Sequence, residues 1–166
     1  MSQASSPNKN HKNRILYILE AGLEYWISLL LTGSFFARLL TENGISDAAA
    51  GIITEISSFA FIAQLISVFY RKRHGMKRFI TLMHLCNQLF FDFLYAVPLF
   101  PVPQGVKTAL FVLLFLGGQL IANTVSPYKI SWFMSFVDNA KRGRFTALKE
   151  IVSLAGGMLF SFTMGT

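Results

Sequence analysis

Long apolar runs recur along the chain between Arg14 and Arg38, Asp47 and Arg71, Arg78 and Lys107, and Lys107 and Lys129. The loops between them alternate between rich and poor in Lys and Arg. Each run reaches the ~20 residues an α-helix needs to cross a hydrocarbon core of about 30 Å. Backbone amides and carbonyls find no water at that depth, so each run is predicted as a helix. A last apolar segment starts near Arg144 as an amphipathic turn and carries no charge from Ile151 onward. The expected fold class is therefore all-α: a polytopic transmembrane helix bundle of about five spans, at approximately 15–38, 48–70, 79–100, 108–137 and 144–166. Residues 1–14, rich in Ser, Asn and Lys with little to bury, are expected to form a disordered cytoplasmic tail. Pro127 removes a backbone donor and crowds the preceding turn, so the fourth helix is expected to kink there and continue through Trp132 and Phe136.

The polar residues that these spans tolerate carry the functional information. On the first span Glu20, Glu24, Ser28 and Thr32 recur every fourth residue, one slowly drifting stripe, while Trp26, Leu30 and Phe36 cover other faces. Counting from Ile15 at about 1.5 Å per residue places Glu24 roughly 14 Å into the membrane, with Glu20 one turn nearer the cytoplasm. An acidic residue at a helix centre costs about 2.5–3.5 kcal/mol on insertion scales. Such a pair points to a wet cavity, a cationic partner or a carboxyl that stays protonated, and so to a site for protons or a cationic solute. Interhelical bonding for assembly alone is the plainer alternative.

The third span repeats the device with His84, Gln88 and Asp92, and Asp92 is expected near mid-membrane; a proton relay and a purely structural hydrogen-bonded stripe both fit. Glu55 is expected on an interior face of the second span. The fourth span offers Gln119 and Asn123 at i, i+4 beside Gly118, Ala122 and Ser126. On the last helix Ser153, Gly157, Ser161 and Gly165 form a small-xxx-small stripe that lets another helix approach closely.

Composition fits a membrane protein, at 53% hydrophobic and 14% charged residues. The net charge of +7 reflects topology and not nucleic-acid binding, because the cations sit in short loops with no continuous groove to track phosphates. Twelve of the fifteen Lys and Arg residues (Lys9, Lys12, Arg14, Arg71, Lys72, Arg73, Lys77, Arg78, Lys141, Arg142, Arg144 and Lys149) fall on one side. The positive-inside rule makes that side, with the amino terminus, cytoplasmic. The first run is longer than a signal-peptide core, carries two glutamates and has no clear cleavage site, so it is expected to remain as a span. Cys86 stands alone, which excludes a disulfide framework or thiolate metal cluster; no cofactor or metal is expected. His84 and Cys86 point to different helix faces, and the chain has neither an HExxH pattern nor a Gly-rich phosphate loop, so no enzymatic activity is expected.

Two stretches carry a resemblance. Arg73-His74-Gly75-Met76-Lys77-Arg78, after the second span, resembles the end of the loop motif between the second and third helices of the major facilitator superfamily. Trp132-Phe133-Met134-Ser135 through Lys141-Arg142-Gly143-Arg144-Phe145 resembles that superfamily's junction of the fourth and fifth helices. The motif's acidic residue is Lys72 here and its leading glycine is Val68. The resemblance runs from about Ile15 to Thr166 and covers the first five helices of a twelve-helix family, which implies a truncated or excised amino-terminal half. It implies further that the first and fourth helices line a central pathway, and that transport rocks one six-helix half against the other. The function expected on this basis is that of a fragment of a secondary active transporter in the cytoplasmic membrane, its parent moving a small solute with protons as the coupling ion. Its partners would be the lipid bilayer, the solute and the remaining helices or a complementary half. A non-transporting membrane subunit that docks a partner protein through its small-residue faces is the alternative.

Overall fold

A computed structural model describes residues 7–69, 76–135 and 137–164 of the chain. Among them every regular element is helical: α1 (Pro7–Leu31), α2 (Gly33–Glu42), α3 (Asp47–Phe59), α4 (Phe61–Phe69), α5 (Met76–Ala96), α6 (Gln104–Met134) and α7 (Arg142–Met164), with single 3₁₀ turns at Val97–Leu99 and Asn139–Lys141. Four segments are long and apolar enough to cross a membrane: Asp47–Phe69, Lys77–Leu99, Gln104–Trp132 and Asn139–Met164. A fifth is reached if Ile15–Leu31 and Gly33–Glu42 count as one bent span. At most 28% of any of the four is buried within the chain. Leucines, isoleucines and phenylalanines therefore cover the outside, as suits helices solvated by lipid tails.

The helix ends follow local chemistry. At the end of α2, Gly44 takes φ +79°, with Gly44 N donating to Thr41 O and Ile45 N to Leu40 O. This is a Schellman closure, and Ile45 and Leu40 are the buried apolar pair that accompanies it. Two residues on, Ser46 caps α3 by accepting from Ala49 N, and Asp47 meets the positive end of that helix. Pro98, Pro101 and Pro103 prevent α5 from running into α6.

Several boundaries differ from those the pattern predicts. The first helix begins at Pro7 and not at Ile15, because Asn, Lys and His extend a helix once it is nucleated and Pro suits its first position. The span expected at 15–38 is broken: Thr32 is non-helical, Gly33 has φ +64°, and the axis bends by 46°. The second span is likewise divided at Ala60, whose amide is shared between Ser57 O and Ser58 O. Pro127 lies inside α6, which continues to Met134.

The chain divides into two compact units, residues 1–35 with 134–166 and residues 36–133. In the first, α1 packs on α7. A methyl built on Gly157 would collide with the Tyr25 ring and stand 3.2 Å from Leu29 Cδ1, and one on Gly156 would stand 3.0 Å from Trp26 Nε1. The small residues of α7 are thus what admits the aromatic face of α1. Trp26 and Phe160 stack at 5.9 Å, and Tyr17 meets Phe145 at 6.3 Å.

In the second unit the same device joins α5 to α6. Phe90 and Phe91 occupy the space that side chains at Gly117 and Gly118 would fill, and Asn87 Nδ2 donates to Gly118 O at 2.7 Å. Phe36 of α2 stacks on Phe115 of α6 at 4.4 Å, both fully buried. At the other end of α6, Tyr128 donates its hydroxyl to Ser67 O at 3.0 Å and takes the Phe79 ring edge-on, over a cluster with Ile80 and Val125.

Candidate functional site

On α1 the apolar and acidic residues separate onto different faces. Leu16, Leu19 and Leu23, at i, i+3 and i+7, are exposed to 53%, 58% and 57%. Buried Tyr17 and half-buried Glu20 and Glu24 form the other stripe, also at i, i+3 and i+7. Both carboxylates are therefore less exposed than the leucines and stand one turn apart.

The stripe does not continue as the four-residue spacing suggested. Each step of four advances about 40° around an α-helix, so Ser28 is roughly 80° from Glu20. That phase is close to those of buried Tyr17 and Leu31, yet Ser28 is exposed, so a shared helical phase does not by itself bury it. Thr32 spends its hydroxyl on Ser28 O at 2.7 Å, within its own chain segment and beside the break at Gly33.

In the second unit the amide pair is half-buried on α6. Asn123 Nδ2 donates to Gln119 O at 2.9 Å, which fixes its rotamer and leaves the Asn123 side-chain oxygen as an acceptor. The Gln119 side chain makes no hydrogen bond among the described residues, so its donors and acceptor remain for a ligand. Because Pro127 has no N–H, the Asn123 backbone carbonyl also lacks its usual helical donor four residues on.

Two acidic residues lie elsewhere than expected. Asp92 is exposed, although it lies within about one turn of the middle of the Lys77–Leu99 span. The buried stripe of α5 is Asn87, Phe91 and Leu94, and Asp92 falls beside the outward row of Leu85, Leu89 and Phe93. Glu55 is also exposed: α3 buries Ala50 and Ile53, and two residues of rotation, about 200°, turn Glu55 away from Ile53. His84 and Gln88 are half-buried. A polar residue of α5 that hydrogen-bonds to α6 is Asn87, 6% exposed and one position from the expected stripe. Its signal lay opposite, in the Gly117–Gly118 pair that opens the α6 backbone.

Of the loop residues, Arg73 and Gly75 lie outside the described residues. Lys77 and Arg78 are exposed in the first turn of α5. Arg142 is half-buried and donates from Nε to Val137 O at 3.3 Å, while Gly143 and Arg144 are exposed at the start of α7. Nothing within 4 Å crowds Gly143. Between α1 and α7 an open apolar groove of about 370 Å³ is lined by Tyr25, Leu29, Leu154, Gly157, Met158 and their neighbours, a feature not foreseen from the pattern. No family model, no curated protein and no solved structure matches the chain.

Proposed function

We propose that this chain forms the first helices of a secondary active transporter resembling the major facilitator superfamily, set in the cytoplasmic membrane with its amino terminus inside. Its parent moves a small solute and draws on the proton gradient through Glu24 and Glu20. The observation that carries this reading is the pair of half-buried carboxylates on α1, held apart from the exposed leucines of the same helix. An ionised acid at that depth is unfavourable and a protonated one much less so, which couples occupancy by a proton to the polarity the site can tolerate. Gln119 and Asn123, with neutral donors and acceptors, suit a solute's polar groups on a second helix. Broken helices such as the one at Gly33 also accord with carriers, whose midplane sites are built at interruptions of this kind.

The alternative of a docking subunit relied on the small-residue face of α7. Of its small-residue stripe, Gly157 is met by Tyr25 and Leu29 of the same chain, Ser161 is exposed, and Gly165 lies outside the described residues.

Single cysteines at 20, 24 and 28 on a Cys86→Ala background, treated with a membrane-impermeant maleimide in right-side-out and inverted vesicles, test the reading. Positions 20 and 24 should react from at least one side, and cysteines at 19 and 23 should not. Failure of both 20 and 24 to react under every condition would exclude a hydrated pathway along α1.

A further inference from the structure

One exposed row on α7 joins cations to an apolar track. Arg144, Leu148, Ile151, Ala155, Met158 and Phe162 follow one another at helical spacings of four and three, all exposed, and Lys141 precedes Arg144 by one turn. Neither Lys141 nor Arg144 has an ion pair among the described residues, and Lys149 is engaged with Glu150 at 2.7 Å. The two cations stand at the start of a segment long and apolar enough to cross a membrane, Asn139–Met164. They therefore lie at the level of lipid headgroups.

The groove between α1 and α7 lies further along the same helix. At about 1.5 Å per residue, Leu154 and Met158, which line it, stand roughly 15 and 21 Å from Arg144. A leaflet's hydrocarbon is about 15 Å deep, and the headgroup layer adds roughly 5–7 Å. The end of an acyl chain whose phosphate sits at Arg144 thus falls at the depth of Met158. The groove is open and mostly apolar, with Tyr25, Leu29 and Gly157 among its lining residues.

The geometry points to a site for one anionic phospholipid on α7: the headgroup phosphate between Lys141 and Arg144, and an acyl chain along Leu148 and Ile151 into the groove beside Tyr25 and Met158. Two cations facing an uncharged apolar track match the charge and the length of such a lipid. Basic side chains near the surface attract anionic lipids, and Arg adds hydrogen bonds to phosphate that a zwitterionic choline headgroup partly masks. The site is independent of the transporter reading, since a chain that carries no solute still holds the lipid.

Trp26, which stacks on Phe160 and abuts Gly156 beside the groove, serves as the reporter. The full chain with Trp132→Phe is reconstituted in dioleoylphosphatidylcholine bilayers containing a small fraction of lipid with brominated chains, either phosphatidylglycerol or phosphatidylcholine. Brominated phosphatidylglycerol should quench Trp26 at a lower mole fraction, by about fivefold for each contributing cation. The Lys141→Gln/Arg144→Gln variant should lose that preference with its helicity unchanged, and Arg144→Lys alone should retain most of it. Inorganic phosphate at constant ionic strength should leave the preference intact. Equal quenching by the two lipids, a preference that survives the double substitution, or its abolition by free phosphate would each overturn the lipid site.

Discussion

Asn87 on α5 reaches across to α6 and donates from Nδ2 to the main-chain oxygen of Gly118, at 2.7 Å and almost wholly buried. The glycine makes the contact possible, because a side chain there would strike the Phe91 ring. Interhelical hydrogen bonds in membranes contribute about 0.6 kcal/mol on average and up to about 2. Asn87→Leu removes the donor and adds no compensating partner. We expect it to lower unfolding stability in mixed micelles by roughly 1–2 kcal/mol. An unchanged denaturant midpoint would show that the bond carries no net stability.

Gly157 and Gly143, both on α7, should respond in opposite ways. At Gly157 any side chain meets Tyr25 and Leu29, so Gly157→Val should destabilise the α1–α7 pair by about 1–3 kcal/mol, the usual range for overpacking. At Gly143 nothing lies within 4 Å. Gly143→Ala should be neutral or stabilising by up to about 1 kcal/mol, since Ala is the better helix former. Thermal unfolding of the two variants side by side is the check, and equal effects would count against the packing role of Gly157.

Gly33 has φ +64° with open space around the position where a Cβ would lie. The penalty for Gly33→Ala is therefore backbone strain alone, about 1–2 kcal/mol for an L-residue held in the left-handed region. Gly33→Asn should lose less, because Asn tolerates that region. If both variants unfold like the parent, the helix break does not depend on the left-handed residue.

Glu24→Gln should separate stability from activity. The amide keeps the shape of the side chain and removes its capacity to ionise, which is unfavourable inside a bilayer, so the melting temperature should stay level or rise. On the proposed transporter reading, pH-driven accumulation of solute should be lost, while exchange of solute without a proton gradient persists. Full pH-driven uptake by this variant would remove Glu24 from the coupling role.

Much of this could be read from residue order. Run lengths between Arg14 and Lys129 place the second, third and fourth spans to within a few positions, although the first helix starts eight residues before the expected bound and breaks at Gly33. The partition of α1 is visible too, since Leu16, Leu19 and Leu23 and the row of Tyr17, Glu20 and Glu24 have distinct helical phases. Spacing was a poorer guide to Ser28 and Asp92. Helical phase alone does not say which residues a neighbour covers, and polarity alone does not say which phase of α5 meets one. Asn87 and Gln88 are equally polar and adjacent, yet only Asn87 faces Gly118.

Residue order by itself determined that the chain is helical, with segments long and apolar enough to cross a membrane, and roughly where each lies, because inside lipid the backbone must satisfy its own hydrogen bonds and a long apolar run has no other solution. The tertiary structure decided which face of each helix is turned inward, where Gly33 interrupts the first span, and that the small residues of α7 receive Tyr25 and Leu29 of α1. In a span apolar on nearly every side, burial hardly distinguishes one rotation from another. The choice falls to close contacts between glycines, aromatic rings and single polar groups.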